Sequence, residues 1–166
     1  MTSQTSSGSS VLAQAVVLAS AALILLGLFW YGVSGEVFKR QWQDFTGRPS
    51  GPMSFRFILQ PTMAMMAALH DGINDARLGR SPYFWTVLTN AQKRPGRLRE
   101  GIISTARIVL LGLVMDAIYQ FKVLGTFYPA EAVIIAVVLA FVPYLLIRGP
   151  VARIARRWCA QKSREV

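Results

Sequence analysis

IISTARIVLLGLVMDAIYQF, residues Ile102–Phe121, holds one base (Arg107) and one acid (Asp116) in 20 positions. At roughly 1.5 Å per residue, a helix of this length crosses a hydrocarbon layer of about 30 Å. Two other runs share its character: VLAQAVVLASAALILLGLFWYGV (Val11–Val33) and AEAVIIAVVLAFVPYLLI (Ala130–Ile147). A hydrophobic fraction of 53% over 166 residues is too high for an ordinary soluble domain, and the mean hydropathy of +0.40 agrees. The pattern predicts an all-α membrane protein with three transmembrane helices.

The formal net charge of +10 is unevenly spread. Residues 36–101 carry ten Lys/Arg and the stretch from Arg148 carries six, which leaves Arg107 and Lys122 elsewhere. Basic segments stay beside anionic headgroups on the cytoplasmic side. The charge therefore reads as topology and excludes nucleic acid as the expected partner. The first ten residues are uncharged and lack the basic start of a secretory signal, so the first run reads as a retained span with its N-terminus outside. The layout expected is N-out, C-in: a disordered extracytoplasmic leader (1–10), transmembrane helices at 11–34, 102–121 and 130–147, a cytoplasmic segment (35–101), an outer loop (122–129) and a basic cytoplasmic tail (148–166). Cys159 is the only cysteine, so no internal disulfide can form.

Within 35–101, the turn-rich residues 44–52 lead to Pro61, suited to a first helical turn, and Gly79, suited to a C-terminal cap. A helix over about 61–78 places Met66, Leu69, Ile73 and Ala76 on one face. His70, Asp71, Asn74, Asp75 and Arg77 fall on the other. That is an interfacial amphipathic helix on the inner leaflet, or one folded against the bundle. Tyr83, Phe84 and Trp85 suit the headgroup level. Lys39, Arg40, Lys93, Arg94, Arg97, Arg99, Arg153, Arg156 and Arg157 are the expected contacts to anionic lipid.

Asp116 is the sharpest chemical signal, because a carboxylate deep in a span costs roughly 2.5–3.5 kcal/mol. Thr105, Gly112, Asp116 and Gln120 share a helical face, with Tyr119 beside them, and Ala132, Ala136 and Ala140 recur every four positions. Polar groups beside a small-residue stripe pair helices. The alternative is a titrating carboxylate in a small oligomeric transporter or proton/ion path. Asp71 and Asp75, four apart, could together hold a divalent ion against phosphates, which makes a metal-dependent lipid-headgroup enzyme a second alternative. The stretch is similar to the Asp-Gly-x-x-Ala-Arg signature of CDP-alcohol phosphotransferases. It departs from it, since three residues separate Gly72 from Ala76 and the flanking acids are missing. One histidine makes no ligand set; no metal, cofactor or catalytic residue is expected.

Met53–Arg157 resembles a family of small bacterial inner-membrane proteins to which no activity is assigned. The matching stretches are Phe55–Thr62, Asp71-Gly72 with Ala76-Arg77, Ser81–Trp85, Met115–Tyr119 and Val142–Leu146. The resemblance implies a multi-pass protein of the bacterial inner membrane. The reading is a non-catalytic accessory, scaffold or assembly subunit, with an anionic bilayer and another membrane protein or a second copy as partners.

Overall fold

Three glycines in the left-handed region mark the joints of the chain: Gly32 and Gly79 at φ 63° and Gly125 at 65°. Each follows a helical stretch, where a residue without Cβ closes the last turn at no steric cost. A computed structural model describes residues 3–32, 34–47 and 54–162. Part of the turn-rich linker, residues 48–52, lies outside the described residues, as do residues 1–2 and 163–166. Among the described residues every element is helical: α1 (Ser3–Tyr31), α2 (Gly35–Gly47), α3 (Arg56–Arg77), α4 (Tyr83–Thr89), α5 (Arg94–Tyr119) and α6 (Pro129–Lys162). A π-helical turn, Gln120–Leu124, extends α5 towards α6. Stretches of α1, α5 and α6 are long and apolar enough to cross a membrane: Gly8–Tyr31, Arg94–Leu124 and Pro129–Trp158. This is compatible with a small multi-pass integral membrane protein.

α5 and α6 form an antiparallel hairpin, and α3 lies along it. The start of α3 meets the end of α5, where Arg56 pairs with Asp116. Its far end meets the start of α5, where Asp75 pairs with Arg97. At about 1.5 Å per residue its 22 residues cover roughly 33 Å, the depth of the hairpin. α1 runs parallel to α5. Ser10, Ala13 and Gln14 lie beside Pro95, Leu98 and Ile102, while the Tyr31 hydroxyl donates to the Phe127 carbonyl at 3.0 Å. The bundle thus has an Arg97 end, where α1 begins and the Arg156 part of α6 lies, and a Tyr128 end, where α2 sits with Arg40 over the Tyr128 ring at 3.7 Å.

The expected segment 35–101 does not stay at one end of the bundle. Three crossings with residues 35–101 on one side would bring the end of α1 and the start of α5 to the same end. They lie at opposite ends, because α3 carries the chain back along the hairpin. Lys39 and Arg40 are therefore separated from the tail they were expected to accompany.

α3 is inverted relative to a helix of a water-soluble protein. Its buried residues are Arg56, Gln60, Ala64, Ala68, Gly72, Asp75 and Ala76. Ile58, Leu59, Met65, Met66, Leu69 and Ile73 are exposed. Of the polar face expected towards water, Asp71 and Asp75 are turned into the bundle, while His70, Asn74 and Arg77 stay exposed. The small residues at four-residue spacing allow this, since a Cβ on Gly72 would come within 2.8 Å of Val151 Cγ1.

Several boundaries differ from expectation. α1 begins at Ser3, inside the expected disordered leader, since nothing from Ser3 to Gly8 forbids helix. α3 starts before Pro61, which lies inside it at the modest loss of one backbone bond. α6 runs unbroken through Pro143 and Pro150, so the expected break between span and tail is missing. Of the aromatic trio, Tyr83 is fully buried while Phe84 and Trp85 are exposed.

α1 is held most loosely, with 17% of its apolar window buried against 50% and 44% for α5 and α6. Its close approach is at Gly27, where a Cβ would come within 2.6 Å of Ala130 Cβ. Gly27→Leu should cost about 1–3 kcal/mol by overpacking, read as a lowered melting temperature in detergent. Gly8→Leu, with nothing within 4 Å of an added Cβ, should leave it unchanged.

Candidate functional site: two buried charge clusters

Near the Tyr128 end, the Arg56 guanidinium and the Asp116 carboxylate form an ion pair at 1% and 0% exposure. Gln120, one turn on from Asp116, donates Nε2 to Asp116 Oδ2 and to the Tyr128 carbonyl at 3.3 Å. Its Oε1 accepts the Tyr128 N–H. The shared face of Asp116 and Gln120 thus ties the ion pair to the hairpin turn. Arg56 Cζ stands 5.3 Å from the Tyr119 ring centroid, within cation–π range. Gln60, one turn along α3, donates to the Ile108 carbonyl at 3.3 Å. Gly112 makes room for it, as a Cβ there would fall 2.0 Å from Gln60 Nε2.

The cluster at the Arg97 end is larger and joins four helices. Asp75 accepts from Arg97 Nη1 at 2.8 Å and from Arg148 Nε at 2.8 Å. Asp71 Oδ2 accepts from Ser104 at 2.6 Å and from Tyr144 at 2.7 Å. Arg148 Nη1 donates to the Tyr144 hydroxyl oxygen, and its Nη2 reaches Glu100 at 3.3 Å. Glu100 also accepts from Arg97 at 3.0 Å and from Arg80 at 3.1 Å. Beneath them lies Tyr83, 4.2 Å from ring centroid to Arg148 Cζ, donating its hydroxyl to the Arg97 carbonyl at 2.8 Å. Burial pushes that hydroxyl up to about 12, so it remains a donor at neutral pH.

The sequence-derived candidates are scattered by this arrangement. Asp71 and Asp75 enter the network, whereas His70 and Asn74 pair with each other at 3.3 Å on the exposed side and Arg77 is exposed. Asp71 and Asp75 converge on arginine, tyrosine and serine donors. No group of three or more His, Cys, Asp or Glu side chains able to hold a metal ion occurs among the described residues. Among the basic residues expected at headgroups, Arg97 is buried in the network. Arg94 is turned back onto the Val87 and Leu88 carbonyls at 2.8 and 3.1 Å. Lys39, Lys93, Arg99, Arg153 and Arg157 are exposed and Arg156 is half-buried.

Arg56, Gln60, Glu100, Ser104, Tyr144 and Arg148 were missed. Tyr144 and Arg148, one turn apart at the end of an apolar run, carried a faint signal. Arg56 carried none, because it reads as part of a basic cytoplasmic flank.

Between the clusters the seam is closely packed, with Ala64, Ala68, Ala136 and Ala140 all at 0% exposure. Chemically, the arrangement fastens α3 to α5 and α6 at two depths. The carboxylates of Asp75 and Asp116 are already neutralised by arginine. Compared with family models, with curated proteins and with solved structures, the chain matches none.

Proposed function

We propose that the chain is a multi-pass protein of the bacterial inner membrane with four crossing helices, α1, α3, α5 and α6, and both termini in the cytoplasm. Within that frame it serves as a non-catalytic accessory, scaffold or assembly subunit. The observation that carries this reading is the pairing of the buried charges. Charges buried at two depths are spent on one another, which supports a rigid helical platform. A site that turns over substrate would keep a carboxylate or base available. A conduction path through Asp116 is disfavoured by the alanine-packed seam between the clusters.

The inverted face of α3 supports its placement in lipid. Polar groups must find partners inside the bundle while the apolar side meets acyl chains. The charge distribution supports the orientation. Arg77, Arg80, Lys93, Arg94, Arg97, Arg99, Arg148, Arg153, Arg156 and Arg157 belong to the Arg97 end. The described basic residues of the Tyr128 end are Lys39, Arg40, Lys122 and the buried Arg56. That asymmetry supports an Arg97 end that faces inside.

Single cysteines introduced at Gly35 and Gly79 in a Cys159→Ser background test the layout. An impermeant thiol reagent added to intact cells should label position 35 and spare position 79. Protection of both would restore a cytoplasmic 35–101 and remove α3 from the membrane. The accessory role is tested by cross-linking in native membranes, which should give one reproducible heteromeric or homomeric adduct of defined mass. A chain that remains uncross-linked and monomeric has no scaffold role.

A further inference from the structure

At the Arg97 end a groove of about 710 Å³ opens between the α3–α4 turn, the start of α5 and the last part of α6. Its polar walls come from Arg80, Ser81, Gln92, Lys93, Arg97 and Arg156, with Glu100 the one acid. That acid is already shared among Arg80, Arg97 and Arg148. Two cations are left over. Among the described residues neither Lys93 nor Arg156 has a carboxylate within ion-pair reach. Arg156 gives one Nη to the Arg80 carbonyl, and its Nε is buried with no acceptor. The Thr86 hydroxyl donates to the Pro82 carbonyl at 2.9 Å and lies 3.1 Å from the Ser81 hydroxyl.

Two cations without a carboxylate partner on the wall of one groove point to a ligand that brings oxygen and negative charge together. The apolar border narrows the choice. Leu78 on the groove wall is exposed, and α4, whose Thr86 lines the groove, exposes Trp85 and Leu88. We propose that this groove is a phosphate site filled by the headgroup of an anionic phospholipid. Its phosphate lies between Lys93 and Arg156, and the acyl chains run along α4.

The inference rests on the membrane reading above. A chain that fails to partition into micelles would defeat both, whereas headgroup indifference would defeat this one alone. The test uses the full chain in a neutral detergent, with native mass spectrometry counting retained lipid. Phosphatidylglycerol, phosphatidylcholine and inorganic phosphate are offered separately. Phosphatidylglycerol should be retained over phosphatidylcholine by roughly tenfold, as expected for two basic side chains near an anionic headgroup. The Lys93→Gln/Arg156→Gln double variant should abolish the preference. Arg153→Gln/Arg157→Gln, which removes the same charge from exposed positions of α6, should keep it. Equal loss in both double variants would reduce the effect to diffuse attraction and overturn the site. Retention of inorganic phosphate without lipid preference would overturn the lipid assignment.

Discussion

Arg56→Met is expected to destabilise the protein by about 3–5 kcal/mol, because it leaves a fully buried carboxylate without its counter-ion. Asp116 is at 0% exposure, and the amide of Gln120 donates to it. Reversible unfolding by SDS in mixed micelles reads the loss directly. The companion experiment replaces both charges. Arg56→Met/Asp116→Leu should recover most of the stability, since exchanging a buried pair for apolar groups of similar volume is often neutral or favourable. If the double variant is no better than the single, the pair is not the source of the effect. The same pair of variants separates the structural role of Asp116 from a transport role. Recovery of fold without recovery of function in cells would reopen the latter.

Arg148→Met should be comparably damaging, at about 3–5 kcal/mol, for a different geometric reason. Arg148 reaches Asp75 on α3 and Glu100 on α5 with different nitrogens, stays close to Tyr144 on its own helix, and lies over the Tyr83 ring of α4. Arg148→Lys keeps the charge but loses the planar fork that reaches several acceptors together, so an intermediate loss is expected. Arg153→Ala, exposed on the same helix, should stay within about 0.5 kcal/mol. Thermal unfolding in detergent of the three variants beside the parent gives the order. An Arg148→Met protein as stable as Arg153→Ala would mean that the network is ornamental.

Hydropathy reads α1, α5 and α6 because their apolar residues run all round. It does not mark α3, for a physical reason. An amphipathic helix has the same periodicity whether its polar face meets water or meets other helices. What separates the cases is residue size. The polar positions of α3 are interleaved with Ala64, Ala68 and Gly72, which permit close approach, while Ile58, Met65, Met66 and Leu69 face outward. Water asks nothing about size, whereas a neighbouring backbone does. Asp116 stood out from sequence because an acid in an apolar run is conspicuous. Its partner did not, because Arg56 lies in a different helix within a basic flank, and no local spacing links the two. The cluster at the Arg97 end was half legible: Asp71 and Asp75 were marked, but the arginines that answer them come from α5 and α6.

The inner face of α3 has a consequence for how the protein is made. Arg56, Asp71 and Asp75 find their counter-charges or hydrogen-bond donors on α5 and α6, which leave the ribosome later. On its own, α3 is too polar to enter oil cheaply. On the four-helix proposal, α3 waits at the bilayer surface or inside the insertion machinery until the last hairpin arrives, then slides in beside it. Truncating the nascent chain before α5 would strand α3 outside the hydrocarbon, and the completed hairpin would recruit it.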